Sequence, residues 1–209
     1  MKNEFMKAMD FRHACKVFDT EKKINDKDMN FILETGRKSP SSFGIEPWKF
    51  LVIQNDDLKN KLTPACFDQP QIASSSHLVV VLAKIEDVKV ESGVPKQMLA
   101  RWGKPEEELD FYMNFYKNSL EETLKSDENI YNYSSLQAYM ASANMLTASA
   151  FIGIDSCAIA GFDKNAVEEI LELDTSKYQV SLILSFGYRV NEQSKQIRLN
   201  FDEVVEFIN

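Results

Sequence analysis

Ser39-Pro40-Ser41-Ser42-Phe43-Gly44-Ile45-Glu46-Pro47-Trp48, running on into Lys49–Gln54 (KFLVIQ), is the stretch whose reading decides the fold. Two prolines, a glycine and three serines make its first part turn-rich, with no regular structure expected, and KFLVIQ then reads as a strand. Outward from it, His77–Lys84 (HLVVVLAK) and Gln179–Tyr188 (QVSLILSFGY) are apolar runs too continuous to face water on one side. Asp155–Ala158 reads as a further, shorter strand. Helices are expected over Asn3–Arg12, over Asn25–Arg37 with Asn25 as its cap, after Asn55, from the cap Asp163 through Leu171, and at the end (DEVVEFI) from the cap Asp202. Ser134–Ile152 is a long helix of Ala, Ser and Met with no strong polar face. Such a helix suits a subunit interface with two-fold symmetry, or else the centre of a monomer's core. Residues 85–132, charged and aromatic, predict a helical excursion. No repeat or linker divides the chain, so residues 1–209 read as one α+β domain.

The chain has 209 residues, 44% of them hydrophobic and 27% charged, and a net charge of −8. That sign repels a phosphate backbone, which argues against nucleic acid as a partner. The longest aliphatic run, Leu78–Ala83, is far short of the ~20 residues that span a bilayer. Met1–Asp10 has no apolar signal-like core, and three cysteines give no disulfide framework, so the expected compartment is the cytoplasm. Seven glycines form neither G-x-G-x-x-G nor a P-loop, and two histidines form no metal or triad motif. No metal site is expected. An enzyme with this inventory would rely on an organic cofactor.

Arg12-His13-Ala14-Cys15-Lys16 places two cations four residues apart, a candidate anion site or simply a solvated basic face beside Lys22 and Lys23. In the Ser39–Trp48 stretch, hydroxyls after a rigid proline and a glycine that permits close approach suit polar ligand groups; the alternative is an ordinary surface turn over a packed Trp.

RHACK, SPSSFGIEPW, the helix with Gln137, GIDSCAIAGFD and the late Arg198, in this order and spacing, resemble the nitroreductase family of FMN flavoproteins over nearly the whole chain. The DSC variant and Glu46 look most like its oxygen-insensitive branch, which activates nitroheterocyclic drugs. The resemblance implies a mainly antiparallel central sheet flanked by helices, in an intertwined homodimer with two FMN sites. It implies ping-pong hydride transfer from NADPH or NADH to nitroaromatic, nitroheterocyclic or quinone-like acceptors, with no catalytic acid, base or nucleophile. Arg12, Lys16 and Arg198 would surround the phosphate and ribityl chain, with the His13 and Ala14 backbone beside them. Lys16 would also reach toward the flavin pyrimidine, near Gln71. Pro40, Ser41, Ser42 and Gly44 would come from the partner subunit, Gln137 would touch the ribityl or ring edge, and the backbone of Ala160 and Gly161 would face the reactive edge of the flavin. Phe43, Phe115, Tyr116 and Cys157 are candidates to line the acceptor site, against the alternative that they are core.

The chain departs from the family pattern at four positions. Ala14 stands where Ser is frequent, Gln71 near an expected Lys, Glu46 for Gln and Asp68 for Asn. Fewer cations and more carboxylates would disfavour anionic reduced flavin and lower the reduction potential. The rival readings are a relative with other flavin chemistry, such as dehalogenation or enal reduction, and a flavin- or partner-binding protein without turnover.

Overall fold

The computed structural model describes residues 1–208, apart from the side chain of Glu121. Its sheet has four described strands, β1 (Trp48–Ile53), β2 (His77–Lys84), β3 (Asp155–Ile159) and β4 (Tyr178–Gly187), in the order β1-β2-β4-β3 with every pair antiparallel. The helices are α1 (Lys2–Phe11), α2 (Asp26–Arg37), α3 (Asp56–Ala65), α4 (Pro70–Ala73), α5 (Val94–Ala100), α6 (Glu106–Thr123), α7 (Asp127–Phe151), α8 (Lys164–Ile170) and α9 (Phe201–Val204). None is long and apolar enough to cross a membrane.

Two cores explain the unbroken apolar run of β2. Val79 and Val81 pack with Ile32 of α2 and with Ala138, Ala141 and Met145 of α7, while Leu78, Val80 and Leu82 pack with Leu62 of α3 and Val167 of α8. Alternate side chains thus serve opposite faces, and each aliphatic residue so buried contributes about 1.5–3 kcal/mol. The edge strands are β1 and β3, with β2 and β4 between them.

α7 begins seven residues before the expected Ser134, because Ser126 caps it by accepting the Asn129 N–H at 3.2 Å. The core reading holds for one side of this helix. One side carries Ala138, Ala141 and Met145 into the core, and the other leaves Leu136 73%, Met140 43% and Phe151 54% exposed. The excursion contains two 3₁₀ turns, α5 and α6 before α7 takes over. At the C-terminus the expected cap Asp202 is corrected: Asn200 caps α9 in a reciprocal box with Glu203, and the helix is only four residues long. His77, one of the two histidines, is buried at the start of β2 against Gln54 and Ser76.

β4 ends tightly. A Cβ at Gly187 would lie 2.7 Å from the Phe18 ring, and Phe18 is only 2% exposed. Gly187→Ala is therefore expected to destabilise by about 2 kcal/mol and to lower Tm by roughly 4–8 °C. A thermal melt unchanged from wild type would show that this corner can relax.

Candidate active site

The Arg12–Lys16 segment leaves α1 with an extended backbone at Arg12 and runs beside β3. Ala14 forms a parallel bridge with Ser156, and the Cys15 N–H donates to the Ser156 carbonyl at 3.1 Å. Beneath it Asp155 is 4% exposed. Its Oδ2 accepts the Arg189 N–H at 2.9 Å, the Arg189 Nε lies 2.8 Å from Oδ1, and His13 Nδ1 lies 3.8 Å from Oδ1. The Arg189 guanidinium also lies over the Phe11 ring at 4.3 Å. A carboxylate so buried is tolerable only when paired, so Arg189 and Asp155 clamp the segment where α1, β3 and β4 meet. Sequence reasoning missed this pair; the available signal was an acid opening one strand and an arginine just after another.

Lys16 Nζ lies 3.9 Å from Cys157 Sγ, and Gln71 Nε2 lies 4.0 Å from the same sulfur. The Gln71 amide donates to Gln69 Oε1 at 2.9 Å, and Gln69 donates to the Gly161 carbonyl at 2.7 Å. Lys16, Gln71, Cys157 and Gly161 are thus brought together, with Gln69 as a member the sequence reading did not single out. Phe67 and Asp68, both in the left-handed region, shape the loop whose Phe67 ring lies beside Gly161. Burial raises the Cys157 thiol above its ordinary value, with Lys16 pulling the other way, and burial pushes Cys15 and Cys66 up to about 11. All three cysteines are free, buried and protonated at neutral pH, which leaves no ready thiolate nucleophile.

The tail reaches the same corner. Gln193 and Gln196 donate to the Asp10 carbonyl at 2.7 Å and 2.9 Å, and Gln196 also donates to the Arg12 carbonyl, which sets the exposed Arg198 just beyond. Among the described residues, no carboxylate pairs with Arg12, Lys16 or Arg198. In a chain of net charge −8, these three cations are candidates to meet an anion.

The Ser39–Trp48 loop forms elsewhere. It holds one 3₁₀ turn, Ser42–Gly44, where no regular structure was expected. Asn144 donates to Ser39 Oγ at 2.7 Å, Gln137 Oε1 accepts the Ser42 N–H at 2.8 Å, and Ser41 Oγ accepts the Glu46 N–H at 3.0 Å. Gln137 also donates to the Tyr133 carbonyl, so its amide is spent on anchoring the loop. Phe43, Gly44 and Glu46 have φ of 57°, 61° and 50°. The side chains of Pro40 and Ser42 are exposed. Phe115 is 59% exposed, whereas Tyr116 is 1% exposed and belongs to the core.

The two groups of residues stand at opposite edges of the sheet. The loop feeds β1, the cations and Cys157 flank β3, and two strands separate these. Three inter-strand spacings put the edge strands about 14 Å apart. Among the described residues no hydrogen bond, ion pair or ring contact joins the loop to the cation group.

The model of the Nitroreductase family matches residues 9–188. A full-length relative from Bacillus subtilis, bearing the name NAD(P)H nitroreductase YfkO, is 39% identical and aligns over 100% of this chain and 99% of its own. The crystal structure of a nitroreductase from Exiguobacterium sibiricum in complex with FMN superposes with a TM-score of 0.83 at 24% identity, over 98% of this chain and 97% of that one. A structure from Staphylococcus epidermidis, described as an NAD(P)H:FMN oxidoreductase, gives 0.81 at 26% identity over 99% and 96%. The antiparallel sheet, the cation group at its β3 edge and the serine loop at its β1 edge are thus set in a shared fold, and the chain belongs to the nitroreductase family of oxidoreductases.

Proposed function

We propose that the protein is an FMN-dependent oxidoreductase that reduces nitroaromatic, nitroheterocyclic or quinone-like acceptors with NADPH or NADH. The observation that carries this reading is the group Arg12, Lys16 and Arg198, near the corner where Gln196 holds the Arg12 carbonyl and Lys16 approaches Cys157, with no acidic partner among the described residues of an acidic molecule. Such a donor set fits a phosphate monoester on a polar chain. The Exiguobacterium structure, which contains FMN, and the B. subtilis relative, whose name specifies NAD(P)H, support the assignment.

Arg12 and Arg198 would hold the phosphate, and Lys16 beside Gln71 would meet the pyrimidine edge. The backbone of Ala160 and Gly161, steadied through Gln69, would face the reactive edge. When bound, FMN supplies two-electron chemistry, taking hydride from the reduced nicotinamide and passing it to the acceptor in alternate half-reactions. The protein's part is position and field, so no side chain has to act as nucleophile.

The second half of the site would come from another copy. Pro40, Ser41, Ser42 and Gly44 lie at the far edge of the sheet from Lys16, and two-fold pairing is the usual way to join such halves. The exposed stripe of Leu136, Met140 and Phe151 on α7, with exposed Ile197, Leu199, Phe201 and Phe207 in the tail, supplies the apolar surface for that pairing. Phe43 and Phe115 would roof the acceptor position.

The test is the visible spectrum of the purified, desalted protein before and after anaerobic NADPH. A flavin spectrum that bleaches and recovers on adding a nitro compound or quinone is expected; a colourless protein that ignores added FMN would end this reading. Gln71→Lys adds a cation within reach of the sulfur that Lys16 approaches. It is expected to raise the midpoint potential by about 20–40 mV, from ~1–2 kcal/mol of added attraction for the reduced form. An unchanged potential in a redox titration would show that the missing lysine is not what sets it.

A further inference from the structure

We infer that Tyr116 is a positioning residue for the Ser41–Gly44 loop, acting through Phe43; the inference rests on the reading above that this loop helps to hold FMN. Phe43 has a φ of 57°, a left-handed backbone that residues other than glycine adopt at a cost. A strained residue persists only where its surroundings over-determine it, and strain of this kind concentrates at ligand clamps. What holds Phe43 is visible. Its ring meets Tyr116 edge-on at 5.1 Å between centroids, with Phe115 at 5.8 Å.

Tyr116 is itself immobilised. It is 1% exposed, and its hydroxyl donates to the Val88 carbonyl at 2.5 Å, at the small core of Ile85, Val88 and Ile130 that ties the excursion to α7. The other restraints on the loop come from different elements, Gln137 of α7 on the Ser42 N–H and Trp102 beside Gly44. The left-handed turn presents the Ser41 and Ser42 region in one conformation, and α6 supplies the apolar buttress that keeps it there. Helix α6 therefore has a task on the cofactor side of the site as well as on the acceptor side.

A double-mutant cycle on FMN affinity tests this, with Tyr116→Leu, Phe43→Gly and the pair. Tyr116→Leu keeps an apolar side chain, and Tyr116→Phe separates loss of the ring from loss of the hydroxyl. Glycine at 43 adopts a positive φ without a buttress, so it uncouples the loop from α6. The expected result is that Tyr116→Leu weakens FMN binding about tenfold when Phe43 is present and less than twofold beside Phe43→Gly, while Tyr116→Phe stays within threefold of wild type. Equal losses from Tyr116→Leu in both backgrounds would overturn the inference. So would full FMN affinity in a Tyr116→Leu protein whose melting shows that it is folded. A wild-type protein that binds no FMN would refute the proposed function instead, which keeps the two failures distinct.

Discussion

Met140→Glu is expected to yield a folded protein that is monomeric and does not retain FMN. Met140 lies with Leu136 and Phe151 on the exposed side of α7, while the opposite side builds the core against β2 and β4. Met140 is outside the buried core cluster, so the substitution spares the packing against β2 and β4. In a symmetric pair each copy brings the carboxylate into an apolar contact, at about 3–5 kcal/mol apiece for an unpaired buried charge. The ~6–10 kcal/mol total moves a nanomolar dimer toward millimolar dissociation. Light scattering reads the mass and absorbance the flavin. A monomer that keeps stoichiometric FMN would show that one chain suffices for the site.

The second large effect concerns the cations. Arg12→Ala combined with Lys16→Met should weaken FMN binding by at least a hundredfold, since each charged hydrogen bond to an anion contributes about 1.5–3 kcal/mol. The loss should be larger at low ionic strength, where the remaining field of a chain with net charge −8 repels the phosphate most strongly. Titration of the apoprotein followed by flavin fluorescence measures it. A loss below threefold would move the phosphate site elsewhere.

Much of the fold was legible because its signals are local. Asn25, Asn55 and Asp163 each accept an N–H three residues on, at 3.0, 2.8 and 3.1 Å, and a cap followed by helical spacing can be read without knowing the tertiary structure. Ser126 uses the same chemistry but opens a helix inside a charged, aromatic stretch, where its signal was lost. At the C-terminus Asp202 competed with Asn200, and only the reciprocal bond with Glu203 decides between them. The motif residues of the proposed site were legible as a resemblance, but their supports were not. Arg189 meets Asp155 across 34 residues and Gln69 meets Gly161 across 92, and both contacts follow from tertiary neighbours that no spacing encodes. Tyr116 was hidden for a related reason: an aromatic at helical spacing reads the same whether it lines a pocket or fills a core, and only its 1% exposure places it in the core.

The central claim, that cations from one copy and the serine loop from another make one site, is tested most directly by complementation. One variant carries Arg12→Ala and Lys16→Met. The other carries Gly44→Val, which puts a β-branched residue where φ is 61° beside Trp102. Each homodimer should be nearly empty of FMN. In the mixed dimer, isolated through two affinity tags, one site combines both damaged halves and the other combines both intact ones. The expected result is about one FMN per mixed dimer, half the wild-type content, with two-fold symmetry setting the ratio. A mixed dimer as empty as its parents would contradict the account and place the whole site within one chain.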